Sequence, residues 1–85
     1  MDDYSRGLVF ELARVIRMEM AAAGLTQLKV ARSAGVHRET LSRYLGGRKD
    51  MPLGVLVRVA AALGTDVSAL MLAAEKRLDA QSPQV

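Results

Sequence analysis

The chain has 85 residues, a formal net charge of +3, no Cys and one His. This length fits a single domain, and the composition excludes a disulfide framework or a zinc site, so apolar residues must supply the stability. No apolar stretch approaches the roughly 20 residues that a membrane span needs.

The first predicted helix ends at Gly24, a residue suited to a left-handed terminator. Its start carries acids, Asp2 and Asp3, where a secretory signal would carry positive charge, so we expect no targeting segment. Arg14 and Arg17 fall away from the apolar face and are expected to be solvated. The residues on the apolar face are Leu8, Leu12, Val15, Ile16 and Ala23.

Two short helices joined at Gly35 are predicted next. Thr26 can cap a helix over 27–34, and a second helix over 38–45 stops at Gly46 and Gly47. The spacing turns Val30, Ala31, Ala34 and Leu41 inward, together with Tyr44 or Leu45.

Two further helices complete the predicted fold, and no segment has the alternation of a strand. The fourth begins at Asp50 or Met51, ends at Gly64 and buries Leu53, Leu56, Val59, Ala60 and Leu63. Asp66 caps the fifth, on which Val67, Leu70, Met71, Ala74 and Leu78 form a stripe. The polar tail 79–85 is expected to be disordered.

Positive charge is concentrated around the two short helices. Residues 26–49 contain six Lys or Arg and one acid, Glu39, which gives +5 and leaves −2 for the rest of the chain. This local excess predicts a polyanionic partner.

Residues 24–71 carry several short motifs in a fixed order. They are Leu25-Thr26-Gln27, Ala31, Gly35-Val36, Thr40-Leu41-Ser42-Arg43, Gly47-Arg48, Leu56, Arg58-Val59-Ala60 and Ala62-Leu63-Gly64. In this order and spacing they resemble the lambda-repressor-like, Cro/CI-type (XRE family) helix-turn-helix DNA-binding domain. The resemblance implies an all-α, compact five-helix bundle over residues 1–78, with the motif at about 26–45, whose second motif helix enters the major groove of double-stranded DNA.

The resemblance also assigns contacts. The residues expected to face base edges are His37, Arg38, Glu39, Ser42 and Arg43. Those expected to touch phosphates are Thr26, Gln27, Lys29, Thr40, Arg48 and Lys49. Arg38 and Arg43 could each bind guanine, whereas Glu39 could either accept a hydrogen bond from cytosine N4 or orient one of these arginines.

Three positions depart from the family pattern. Lys29 replaces a frequent Glu and places a cation in the first turn of a helix, where it opposes the helix dipole unless a phosphate lies nearby. Met20 and Leu45 occupy places where the family often has an Arg–Glu pair. His37 stands where a short hydroxyl residue is common, which predicts a weak cap for the second motif helix.

The sequence therefore predicts a sequence-specific transcriptional regulator, of repressor or Cro type and of phage or bacterial origin. The expected form is a cytoplasmic, nucleoid-associated homodimer on a palindromic operator, joined through the fifth helix. We expect no enzymatic activity, cofactor, small-molecule ligand, membrane contact or separate effector domain. One alternative is an antitoxin that binds both a partner protein and its own promoter. Two others are an interaction module that keeps the fold without binding DNA, against which the basic face argues, and a protein that coats the nucleoid without sequence specificity.

Overall fold

The structure, a computed structural model, describes residues 2–81, which form five α-helices and no strand. The helices are α1 (Asp3–Ala23), α2 (Gln27–Ala34), α3 (Arg38–Leu45), α4 (Leu53–Ala62) and α5 (Val67–Gln81). The expected all-α fold is confirmed. Among these helices none is by itself long and apolar enough to cross a membrane, although α4 and α5, bent by 95°, together meet that test of length and composition.

One apolar core joins all five helices. Its fully buried side chains include Ile16 of α1, Val30 of α2, Leu41 of α3, Val59 of α4 and Leu70 of α5. The two longest helices, α1 and α5, pack against each other. Helix α2 packs mainly on α4, and α3 lies against α1 and α2. The two short helices are thus held between the α1–α5 pair and α4. Both Tyr44 and Leu45, between which the sequence left a choice, are buried.

The predicted helix ends are formed by local hydrogen bonds. Gly24 ends α1 with φ of 67°, a conformation that costs glycine little. Thr26 Oγ1 accepts a hydrogen bond from Lys29 N at 3.1 Å and so caps α2. Asp66 Oδ1 accepts from Ala69 N at 2.8 Å at the start of α5, and this bond lowers the pKa of Asp66 from its ordinary value.

Helix α4 begins later than the sequence predicts, at Leu53 instead of Asp50 or Met51. Pro52 has extended backbone angles, φ −60° and ψ 148°, and a residue before proline avoids the helical region, so Met51 cannot continue a helix into α4. The prediction that Leu53 is buried is wrong, because its side chain is 68% exposed. The core-facing residues of α4 are Val55, Leu56, Val59 and Ala60. Ala23, at the end of α1, is also exposed.

Helix α5 extends beyond the predicted domain limit at residue 78. It continues to Gln81, so the first three residues of the expected disordered tail are helical, while 82–85 lie outside the described residues. Leu78 packs against α1 at Gly7, where a Cβ atom would lie only 2.9 Å from Leu78 Cδ1. Glycine at this position permits the close approach of α1 and α5.

A buried carboxylate joins α1 to the end of α5, and the sequence analysis did not single it out. Glu11 is only 2% exposed. Its Oε1 accepts from Arg77 Nε at 2.8 Å, and its Oε2 accepts from Gln81 Nε2 at 2.7 Å. These two hydrogen bonds, with the charge of Arg77 and a looser pair to Arg14, hold the pKa of Glu11 below its ordinary value. The last turns of α5 thus supply both hydrogen-bond donors to this carboxylate.

We predict that Glu11 makes the fold sensitive to acid. A lowered folded-state pKa means that the stabilisation is complete above the ordinary value, 4.5, and is lost as the pH falls through the folded-state value. Glu11→Gln should therefore be less stable than the wild type at pH 7, and the difference in the free energy of unfolding should narrow as the pH falls below 4.5. Urea denaturation followed by circular dichroism at several pH values measures this difference.

The matched control is Glu19→Gln, which changes an exposed glutamate on the same helix. It should change stability little at any of these pH values. A stability difference between Glu11→Gln and wild type that stays constant with pH would contradict the assignment to the buried charge.

Candidate nucleic-acid interface

The turn between α2 and α3 fixes how the two short helices cross. Gly35 ends α2 with φ of 72°, and Val36 N donates back to Ala31 O at 3.0 Å. Ala31 and Ala34 are completely buried, and their small side chains let α2 approach its neighbours closely. The N-terminus of α2 and the outer face of α3 consequently lie on the same side of the molecule.

An open groove of about 730 Å³ lies between the start of α2 and the outer face of α3. Its lining includes seven of the eleven residues that the sequence predicts to contact DNA. They are Thr26, Gln27, Arg38, Glu39, Ser42, Arg43 and Arg48. The fold therefore gathers residues up to 22 positions apart into one surface, which we call the reading groove.

A second open cavity, of about 600 Å³, lies beside the N-terminus of α3. It is lined by His37, Arg38 and Glu39, together with Leu28 of α2. His37 is the N-cap residue of α3, and its side chain makes no capping hydrogen bond, as the sequence predicts. Its imidazole is exposed at the edge of the α3 surface.

Three predicted contact residues line neither cavity. Lys29 is exposed on α2, and Thr40 is half-buried on α3. The Nζ of Lys49 lies 5.9 Å from the centre of the Tyr44 ring, within the range of a cation–π contact. These residues lie around the reading groove and not within it.

The end of α3 positions Arg48. Gly47 adopts φ of 75°, and Arg48 N donates to Arg43 O at 3.0 Å, which closes the last turn. Arg48, which follows α3 in sequence, is thereby held against the C-terminus of this helix. It lines the end of the reading groove that is farther from the N-terminus of α3.

Two arginines from outside the motif bind the C-terminal carbonyl groups of its helices. Arg58 Nε of α4 donates to Ala34 O of α2 at 2.7 Å. Arg17 of α1, which the sequence analysis expected to be simply solvated, donates through Nη1 to Leu45 O of α3. A cation at a helix C-terminus is favourable because it opposes the negative end of the helix dipole.

Arg17 also provides a cationic contact between α1 and α3, where the family often has an Arg–Glu pair and this chain has Met20 and Leu45. Both of these side chains are buried, at 6% and 4% exposure, so the apolar pair belongs to the core. The guanidinium of Arg17, one turn before Met20, binds the backbone of Leu45 instead of a side chain. Helix α3 thus keeps a cationic contact from α1 without a buried ion pair.

The charged side chains of the reading groove have no ion-pair partners among residues 2–81. Across residues 2–81 both ion pairs involve Glu11, and none involves Arg38, Arg43 or Arg48. Glu39 makes no hydrogen bond or ion pair to Arg38 or Arg43 in this range. The first two N–H groups of α2, those of Gln27 and Leu28, also have no acceptor in the described part of the chain. The groove therefore presents free donors, three arginines and one free carboxylate.

Leu28 is the lining residue that the sequence analysis missed. It contributes to both cavities and is 41% exposed. A sequence signal was present, since Leu28 does not share the apolar face of Val30, Ala31 and Ala34 and so had no place in the predicted core.

Two short helices joined at a glycine, with a basic outer face on the second, define a helix-turn-helix DNA-binding domain. The family model for the helix-turn-helix domain matches residues 11–72. The chain belongs to this family, which is one of DNA-binding regulators and not of enzymes.

The structure is also similar to two solved structures of the clp gene regulator ClgR from Corynebacterium glutamicum, each 28% identical in sequence. One matches with a TM-score of 0.81 over 87% of this chain and 79% of that chain. The other matches with a TM-score of 0.76 over 84% of this chain and 91% of that chain. No curated protein sequence gives a significant match.

We predict that removing the Arg17 contact loosens α3. Arg17→Ala leaves Leu45 O without its charged donor and should lower the free energy of unfolding by about 1.5 kcal/mol, the lower end of the range for hydrogen bonds that involve a charged group. Urea denaturation at neutral pH measures the change. Arg6→Ala removes an exposed arginine from the same helix and should change stability by less than about 0.5 kcal/mol. Equal effects of the two substitutions would show that the Arg17 contact does not stabilise α3.

Proposed function

We propose that this protein is a sequence-specific transcriptional regulator, of repressor or Cro type, that inserts α3 into the major groove of operator DNA. The observation that supports this most directly is the reading groove, in which the outer face of α3 and the N-terminus of α2 present unpaired arginines on one surface. A two-turn helix with a polar outer face fits the roughly 12 Å width of the major groove. The similarity to ClgR, a clp gene regulator, supports a regulatory role.

The proposed contacts divide by position. Arg38, Ser42 and Arg43 lie on α3 and would face base edges, where arginine pairs with the O6 and N7 atoms of guanine. The free N–H groups at the start of α2 would bind a phosphate, because a helix N-terminus favours negative charge. Arg48 at the other end of the groove would bind a second phosphate and help to fix the helix along the duplex.

Glu39 has two possible roles, and its surroundings favour one of them. It makes no ion pair with the neighbouring arginines across residues 2–81, so nothing in the free protein supports an orienting role. An unpaired carboxylate on a DNA-facing surface repels phosphates unless it accepts a hydrogen bond from a base. We therefore assign Glu39 to cytosine N4, the major-groove donor that carboxylates recognise.

A homodimer on a palindromic operator is part of this proposal, because a single short helix reads only a few base pairs. The apolar stripe of α5 packs largely within the chain, through Leu70, Ala74 and Leu78. On α4, however, Leu53 and Val57 are exposed one turn apart, at 68% and 50%. We therefore propose α4, in place of the α5 expected from the sequence, as the helix through which two copies meet. Binding to DNA would place the protein with the nucleoid, in the cytoplasm.

We expect in vitro selection from random duplex DNA to return one palindromic sequence. Its two half-sites should be centred about 34 Å apart, one helical turn, because the symmetry of the operator mirrors that of the dimer. Sedimentation of the protein with the selected duplex should show two chains for each duplex. Selection of no consensus sequence would contradict sequence-specific binding, and a single unrepeated half-site bound by one chain would contradict the dimer alone.

We also expect base and phosphate contacts to respond differently to mutation. Arg43→Ala should cost about 1 to 3 kcal/mol at particular base pairs, whereas Arg48→Ala should weaken all sequences alike and reduce the salt slope by about 1. If about five cations of each wild-type subunit neutralise phosphates, log affinity should fall with log salt at a slope of about −4 to −5 per subunit. Titrations of the selected and of scrambled duplexes at several salt concentrations measure both effects.

The control for this series is Arg6→Ala, on the part of α1 outside the reading groove, which should leave affinity and slope unchanged. A wild-type affinity that does not depend on salt would rule out the proposed phosphate contacts. An unchanged base preference in Arg43→Ala would remove Arg43 from the base-reading residues.

A further inference from the structure

Leu28 is an exposed apolar side chain that does not pack against the core. It is the second residue of α2, and its side chain is 41% exposed among polar and charged groups. The motif residues Leu25 and Val36 pack against the core, whereas Leu28 is not among the apolar side chains that do so.

The position of Leu28 relative to α3 is specific. Among the described residues, only Leu28, Arg38 and Glu39 line both the reading groove and the second cavity. These three side chains therefore form the boundary between the two cavities, at the N-terminal end of α3. Two of them are proposed to read bases, and the third is apolar.

The chemistry of the major groove limits what an apolar side chain can recognise there. Base edges in this groove carry hydrogen-bond donors and acceptors, with one apolar group, the C5 methyl of thymine. The burial of one such methyl group is worth about fourfold in affinity. A leucine between two polar base-reading residues would also leave cytosine, which lacks this methyl group, without an equivalent contact.

We infer that Leu28 is a specificity-determining residue that contacts the C5 methyl group of a thymine next to the base pairs read by Arg38 and Glu39. This inference rests on the proposed function, since it requires α3 in the major groove. It adds to that function a contact from α2, the helix otherwise assigned to phosphate binding and to bracing α3.

The test combines a protein change with a DNA change at the selected operator. Deoxyuridine replaces each thymine in turn and removes only the methyl group. Each half-site should contain one thymine at which this single replacement weakens wild-type binding by about fourfold. Leu28→Ala should bind the thymine operator more weakly than the wild type by at least a similar factor, and it should bind the thymine and deoxyuridine operators equally well at that position.

The matched control is Leu72→Ala, which truncates a leucine of α5 that is 53% exposed and lines neither cavity. It should retain the wild-type affinity and the wild-type response to deoxyuridine. Circular dichroism melting of both variants confirms that each is folded at the temperature of the binding assay.

The possible failures can be told apart. If the wild type selects no consensus sequence, the proposed function fails and this inference fails with it. If the wild type binds a defined operator but Leu28→Ala keeps the full response to deoxyuridine at every thymine, only the inference is overturned. An equal loss of affinity by Leu28→Ala for the thymine and deoxyuridine operators, with no response of the wild type to deoxyuridine, would also overturn it.

Discussion

The reading groove depends on how two helices of only eight residues are held in place, because helices of two turns are not stable alone in water. Burial of Ala31, Ala34 and Leu41 supplies the apolar part of this support. The polar part comes from Arg58 and Arg17, which bind the last carbonyl groups of α2 and α3 respectively. Each motif helix is therefore fixed along its length by the core and at its C-terminus by a cation from a longer helix.

The charges of the chain have separate roles. Glu11, the one carboxylate buried among residues 2–81, accepts hydrogen bonds from the cationic Arg77 and from Gln81 on the side where α1 meets α5. Arg38, Arg43 and Arg48 have no acidic partner among residues 2–81, so binding a phosphate or a base does not require an existing ion pair to break. The charges that stabilise the fold are thus different from those available to DNA, and changes in the second set should have little effect on folding.

The sequence predicts well those features that depend on neighbouring residues. The Thr26 cap and the Gly35 end of α2 could be predicted because their hydrogen bonds join residues only a few positions apart. The apolar periodicity likewise identifies Leu41 as a core residue. It does not reveal contacts between distant residues. Arg17 and Leu45 are 28 positions apart, and Glu11 and Gln81 are 70 apart, so only the packed helices show that these groups meet. Leu53 was assigned to the core because it is apolar, but it lies one turn before the exposed Val57, outside the face of α4 that packs on the core.

Lys29 adds positive charge beside the reading groove and at the same time makes α2 less stable. Its backbone N–H is bound by Thr26, but its side chain places a positive charge in the first turn of α2, where the helix dipole is already positive. A glutamate at this place would instead complete a capping box with Thr26. The lysine gives up that stabilisation, and in return it strengthens the positive potential around the free N–H groups of Gln27 and Leu28. A local choice that opposes helix formation is expected where a functional site competes with stability, and here the competing function is the proposed binding of a phosphate at the start of α2.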